Sequence, residues 1–348
     1  MTMRISRKIV VGGVPVGGGS RITVQSMLNV PADRIQDNVR QAKKLADAGC
    51  DILRAAIPDG DTVALIPAIK KETSVPLVAD IHFDYRLALA AAEAGADAIR
   101  INPGNIGSDE RVKAVADICR SKGIPIRIGV NSGSVQKEIL AKYGGPTPEA
   151  LAESALYHAA LLEKFDFNNI ALSIKSSDVN KMIRANEIVA EKCDYPLHLG
   201  VTEAGTERIG LIKSAVGIGT LLRNGIGDTI RVSLTADPVR EVEAGIDLLK
   251  ALGLRGGVKI VSCPTCGRTK INLIAIASEV EKRLAGCQKN ITVAVMGCAV
   301  NGPGEAKEAD VGIAGGDGCG LIFRKGKIVR RVAENELIDG LMNEIENL

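Results

Sequence analysis

The chain has 348 residues, 46% apolar and 24% charged, and its 44 basic and 41 acidic side chains leave a formal charge of +3. That length supports one large domain and one small one with substantial cores. The near-neutral balance gives no global field for nucleic acid or an anionic membrane, and 2% aromatics without tryptophan argue against a base-stacking surface.

The start, MTMRISRKIVVGG, has too short an apolar run for a signal peptide, and no stretch approaches a membrane span. A cytoplasmic protein is expected, with no membrane and no nucleic-acid partner. In that reducing compartment the eight cysteines are expected as free thiols or metal ligands.

The glycines of VGGVPVGGG (11–19) precede the first long strand-like run, and this stretch reads as a hairpin closing the bottom of the large domain. Eight β-rich runs come next: RITVQS, DILRAAI, PLVADIHF, AIRINPG, PIRIGVN, IALSIKSSD, PLHLGVTEAG and DTIRVSL. Helical spacing separates them, as with Val239, Val242, Ile246 and Leu249 after Asp237-Pro238, while Gly49, Gly95 and Gly123 fall where helices should stop. ADAGCDILR (46–54) and AEAGADAIR (92–100) even repeat one unit in detail.

Strict alternation over roughly 230 residues predicts a closed (β/α)8 TIM-type barrel over residues 1–253. An open doubly wound sheet would want its glycine fingerprint after the first strand. LGLRGG then leads through a short Gly-rich linker, 254–257, into a different pattern. Residues 258–348 read as a smaller α+β domain: strand VKIVS, a helix from Cys266 to about Ala285, strand ITVAVMG, three short strands and a final helix from Glu334.

Barrel active sites form at the C-terminal strand ends, and polar residues gather there in this sequence. Arg54, Arg100, Arg127, Lys175 and Arg231 come from five strands, joined by Asp80, His82, Asn102, Asn131, Glu203 and Ser233. One arginine in an apolar strand is ordinarily tied to a structural carboxylate. Five cations on one rim need an anion of the diphosphate kind. Lys175 could instead be a Schiff-base lysine, its pKa lowered by the arginines. Of the histidines, His158 fits a packed or surface helix position and His198 an inward core position; His82 alone sits where chemistry is expected.

SCPTCG supplies Cys263 and Cys266, and MGCAVNGPGE supplies Cys298 and Glu305. Two thiolates three apart and a third from a Gly-rich loop can meet at one metal centre, and a carboxylate in fourth place suits an iron-sulfur cluster with one replaceable ligand. CPTCG is also a zinc-knuckle pattern, but no second Cys-x-x-Cys completes a ribbon; Cys287 and Cys319 are the remaining candidates for a fourth sulfur. Cys50, Cys119 and Cys193 read as small core residues.

With VQSM, PLVADIHFDYRLAL, RINPGNIG, RIGVNSGS, PLHLGVTEAG, GIGDTIRVSL, SCPTCGRT and VAVMGCAVNGPGEA in order, the chain resembles the bacterial 4-hydroxy-3-methylbut-2-enyl diphosphate synthase family from about Arg21 to about Gly316. Plant members carry a large insertion between the domains, which this chain lacks. The resemblance implies a 4Fe-4S cluster on Cys263, Cys266, Cys298 and Glu305, and a diphosphate held by Arg54, Arg100, Arg127, Lys175 and Arg231. It gives Cys319 no role.

It further implies reductive dehydration and ring opening of 2-C-methyl-D-erythritol 2,4-cyclodiphosphate, with electrons from flavodoxin or ferredoxin, in a head-to-tail homodimer. Glu203 is then the candidate proton donor, and Asp80 and Asn131 orient it or the substrate. Two rivals stand beside this reading. A zinc-ribbon binding protein would be colourless, and a barrel aldolase would trap its substrate on Lys175.

Overall fold

The computed structural model describes residues 4–299 and 306–348. The chain forms two compact units, Met1–Leu254 and Arg255–Leu348. Among the described residues no helix is long and apolar enough to cross a membrane.

In the first unit a hairpin of β1 (Ile9–Val11) and β2 (Val14–Val16) precedes eight strands. These are β3 (Thr23–Met27), β4 (Ile52–Ala56), β5 (Leu77–Asp80), β6 (Ala98–Ile101), β7 (Ile126–Asn131), β8 (Ile170–Lys175), β9 (His198–Leu199) and β10 (Thr229–Ile230). All eight expected runs are therefore strands. They pair in parallel in the order β8-β7-β6-β5-β4-β3-β10-β9, and the ring closes where Leu172 bridges Leu197 and the Leu172 N–H donates to Pro196 O at 2.9 Å. Both faces of such strands are covered, which is why their sequences are nearly continuous apolar runs.

The hairpin turns on Gly12 and Gly13, at φ +52° and +88°, the left-handed pair that a two-residue hairpin requires. Its Ile9, Val11 and Val16 pack on Ile52, Val78, Ala98 and Ala171 near the strand starts. The hairpin thus plugs the barrel bottom, as the sequence predicts.

Helices between the strands start on side-chain caps: Asp84, Thr147, Asp178 and Asp237 each accept a backbone N–H from the first turn, worth about 1 kcal/mol apiece. Short capped connections hold the C-terminal strand ends, and whatever they carry, on a rigid rim.

The second unit is one sheet in the order β11 (Lys259–Ser262), β12 (Thr292–Met296), β13 (Val311–Gly316), β14 (Cys319–Arg324), β15 (Lys327–Ala333). The first three strands are parallel and the last two antiparallel. Helices Leu273–Leu284 and Leu337–Glu346 cover one face through Ile276, Val280, Leu337 and Leu341 against Val293, Val295, Ile313 and Ile322. The expected helix start at Cys266 is corrected to Leu273. The Thr269 hydroxyl takes the Cys266 N–H at 3.1 Å and the Lys270 N–H goes to Gly297 O at 2.9 Å, so this stretch is a tied loop; such local side-chain bonds compete with helix.

Candidate active site

Strand alternation aims Arg54, Arg100, Arg127, Lys175 and Arg231 into the barrel. The five line one cavity of about 80 Å3 together with Gly129, Val130, Asn131, Ser173, Thr202 and Ser233. The convergence expected of the five cations is what the structure places there, and Asn131 and Ser233 stand beside them.

Carboxylates offset only part of this charge. Asp80 Oδ1 lies 3.1 Å from Arg100 Nη1 and its Oδ2 3.4 Å from Arg54 Nε. Glu241, from the helix Pro238–Ala251, lies 3.3 Å from Arg231 Nη2. Arg127 has a neutral partner, donating from Nη1 to Gln25 Oε1 at 2.7 Å, while its buried Nε and Nη2 have none. The groups acting on Lys175 are burial and four guanidiniums, Arg54, Arg231, Arg127 and Arg100, and together they push its pKa far below the usual lysine value. Burial, with Arg231 and Arg100 against the attraction of Asp80, lowers Arg54 to about 10. A site that strains its own cations toward neutrality is built to receive negative charge.

Arg127 and Gln25 also line a second, apolar cavity of about 20 Å3 beneath, walled by Ile9, Val11, Val16, Ile52, Val78, Ala98 and Ala171. The pair is thus a floor between the hairpin plug and the cationic pocket. His198 is buried in the barrel, its Nδ1 3.4 Å from Thr229 Oγ1, and burial with Arg127 and Lys175 nearby keeps it neutral.

Other predicted site residues do not line the cavity. Asp80 acts from behind two of the arginines. Asn102 is buried, its Oδ1 accepting the Gly104 N–H at 3.0 Å and its Nδ2 3.4 Å from Ser134 O, which ties the loops after β6 and β7 together. His82 is half exposed, 3.9 Å from Asp80 Oδ2. Glu203 is exposed in the loop after β9 with φ +50°. His158 is buried against Gln136 at 2.9 Å, and burial lowers it to about 4.

In the second unit Cys263 follows β11 and Cys298 follows β12, so both leave the same edge of the sheet. Cys263 Sγ accepts the Gly297 N–H at 3.1 Å. Cys266 is exposed, its thiol acidified by hydrogen bonds from the Arg268 backbone and side chain and from Thr269. Thiols that already receive N–H donors are suited to thiolate ligation. Cys263, Cys266 and Cys298, on two adjoining loops and two of them already hydrogen-bonded, match the donor chemistry of an iron-sulfur cluster better than that of a closed zinc site. Glu305 lies outside the described residues, and among the described residues no three Cys, His, Asp or Glu side chains are already gathered as a metal site. Cys50 and Cys119 are buried core thiols, Cys119 raised to about 12 by burial.

Two family descriptions match the chain: the GcpE TIM-barrel domain over residues 6–246 and the GcpE protein C-terminal domain over residues 259–347. The chain belongs to the GcpE family. Relatives include the 4-hydroxy-3-methylbut-2-en-1-yl diphosphate synthase (flavodoxin) of Clostridium perfringens, 58% identical over 349 residues and covering 100% of both chains. The protein of the same name from Clostridium tetani is 59% identical over 342 residues, 98% of each chain. Among solved structures, dihydropteroate synthase from Stenotrophomonas maltophilia aligns with a TM-score of 0.54 at 17% identity, covering 71% of this chain and 97% of that one. The Xanthomonas albilineans enzyme does so with 0.51 at 16% identity, covering 71% and 97%. These two likenesses show the barrel fold alone.

Several residues of this GcpE pocket escape sequence reasoning. Gly129 sits under the Arg100 guanidinium, which any side chain there would strike, and a Cβ on Gly200 would lie 3.1 Å from Lys175 Nζ. Inward-facing glycines at the ends of barrel strands are the signal that could have found them. Met27, whose sulfur accepts from Arg54 Nε at 3.2 Å, and Gln25 look like ordinary strand residues, and only the closed ring reveals their partners.

Proposed function

We propose that the chain opens the ring of 2-C-methyl-D-erythritol 2,4-cyclodiphosphate and removes a hydroxyl as water, giving 4-hydroxy-3-methylbut-2-enyl diphosphate at the cost of two electrons. The observation that supports it most is the charge imbalance of the barrel cavity, five cations against Asp80 and Glu241. A diphosphate supplies the missing negative charge. As the ring C–O bond breaks, charge grows on the departing phosphoryl oxygen, and fixed guanidiniums stabilise that growth without reorganising.

Arg54 and Arg100, braced by Asp80, and Arg231, braced by Glu241, hold fixed directions, while the open N–H groups of Arg127 form the floor. Asn131, Ser173, Thr202 and Ser233 offer neutral hydrogen bonds for the remaining oxygens. Glu203 is the proposed proton donor to the leaving hydroxyl, carried on the loop after β9, with Asp80 and Asn131 as orienting groups; Asn102 acts through the loops it ties together, and His82 through Asp80.

Cys263, Cys266, Cys298 and Glu305 are the proposed holders of a 4Fe-4S cluster, which when bound supplies electrons one at a time. Flavodoxin is the proposed donor, a head-to-tail homodimer the proposed assembly, and the cytoplasm the proposed location. The test is anaerobic purification with iron and sulfide quantified, then incubation with the cyclic diphosphate and dithionite. Fully loaded protein that leaves the cyclic compound unconverted rejects the proposal, and a colourless, zinc-loaded protein rejects the cluster.

A further inference from the structure

β15 is the last strand of the second unit's sheet, hydrogen-bonded only to β14 among the described residues, and six of its seven residues are exposed. It carries Lys327, Arg330 and Arg331, with Lys325 in the turn before it. Among the described residues none of these four forms a salt bridge, whereas neighbouring Arg324 is neutralised by Glu344 at 2.6 Å. Between the charges lie Ile328 and Val329, 57% and 45% exposed. Lysines often guard a sheet edge against pairing with other strands. A guard has no use for bare aliphatic residues at its centre, while an interface combines an apolar middle with a polar rim.

The topology gives this strand a particular neighbourhood. β14 and β15 are antiparallel, with Cys319 opposite both Gly316 and Ala333. The end of β15 therefore emerges at the sheet edge from which Cys263 and Cys298 leave β11 and β12. Three strand spacings, roughly 14 Å, separate the Ala333 end of β15 from β12, with Arg330 and Arg331 nearer that end and Lys327 opposite Arg324 at the far end of the strand. Seen edge-on, a strand shows the side chains of both its faces, so exposed Lys325, Lys327 and Arg330 reach outward, while exposed Arg331 lies over β14 and donates from Nη2 to Cys319 Sγ at 3.1 Å.

We propose that β15 and its preceding turn are the docking surface for the acidic electron carrier, with Lys325, Lys327, Arg330 and Arg331 meeting its carboxylates around an Ile328–Val329 centre. The proposal rests on the flavodoxin reading above. Opposite charge at such a rim steers encounter and sets register, and its strength falls with salt.

The experiment measures flavodoxin binding to the anaerobically purified full-length protein by calorimetry at low and raised salt. It compares wild type, Lys327→Gln/Arg330→Gln and Lys327→Glu/Arg330→Glu, with dithionite-driven conversion and sedimentation as parallel readouts. Charge reversal should weaken binding by roughly tenfold or more and neutralisation by less, with dithionite-driven conversion unchanged. Reversal variants that bind within about twofold of wild type overturn the surface. So does a variant that self-associates while keeping its flavodoxin affinity, since the charges would then only guard the edge. Wild type that converts the cyclic compound with dithionite yet binds no flavodoxin removes the carrier reading and this surface with it.

Discussion

Asp80 Oδ1 stands 3.1 Å from Arg100 Nη1 while its other oxygen stands 3.4 Å from Arg54 Nε, so one carboxylate positions two of the five cavity cations. Burial alone would raise the Asp80 pKa, but Arg54, Arg100, His82 and Arg127 outweigh it, and the result is a depressed value. Asp80→Asn leaves two like charges facing each other with no counter-ion. The expected loss is roughly 2–4 kcal/mol of folding stability, after allowing for the partial exposure of both arginines. Because the folded pKa is the lower one, this stability is complete above the unfolded value of about 3.9 and is lost as pH falls through the folded value. Urea unfolding of both proteins across pH 3–7 checks it; equal stability at pH 7 would contradict the bracing role.

Lys175 has the opposite linkage. Burial and four guanidiniums depress its folded pKa, so the empty pocket holds fewer protons there than an ordinary lysine, and an arriving diphosphate restores the missing one. Binding should therefore take up protons, and affinity should fall as pH rises above the empty-pocket pKa toward the ordinary lysine value of about 10.4. The other charged groups of the pocket are Arg54, Arg100, Arg127 and Arg231 with Asp80 and Glu241, and His198 lies buried in the same barrel. Titration calorimetry with pyrophosphate in buffers of different ionisation enthalpy reads the uptake directly. Lys175→Arg, permanently charged, should abolish it, and uptake that survives the substitution assigns the proton elsewhere.

What could be read from the amino-acid order divides along a physical line. The eight strands were legible because each is a buried apolar run ended by a turn signal. Arg54, Arg100, Arg127, Lys175 and Arg231 were legible because a cation in such a run is costly to bury unless an anion meets it. The cavity's neutral parts were not. Gln25 and Arg127 are 102 positions apart and meet only because the barrel closes, and Asn102 looked like a ligand group although its amide is occupied between two loops. The start of helix Leu273–Leu284 was misplaced because the Thr269 hydroxyl competes for a backbone N–H that propensity would assign to the helix.

Gly200 shows how tightly the rim is drawn. A Cβ there would sit 2.7 Å from Arg231 O and 3.1 Å from Lys175 Nζ, and the carbonyl cannot yield without moving the strand. Gly200→Ala should cost about 1–3 kcal/mol through overpacking and also weaken diphosphate binding, because Lys175 is the part free to move. Gly219→Ala is the control: nothing lies within 4 Å of its Cβ position in the helix Glu207–Arg223, and it should stabilise by about 0.5–1 kcal/mol. Thermal melts with pyrophosphate titrations separate the two. Unaltered binding in Gly200→Ala would mean that Lys175 does not set affinity.

Glu203 is one of three non-glycine residues with positive φ among the described residues, at +50°, and it is exposed rather than buried by partners that would force that conformation. A left-handed backbone costs an ordinary side chain about 1–2 kcal/mol, and such cost persists where function needs the residue. The two substitutions that separate these effects behave differently. Glu203→Gly should relieve the strain and stabilise the protein by up to about 1 kcal/mol, while Glu203→Gln should leave stability unchanged. Both should suppress conversion of the cyclic diphosphate and leave iron and sulfide content at the wild-type level. If Glu203→Gln turns over at near the wild-type rate, the proton comes from another group and the strain at this position has a purely structural origin.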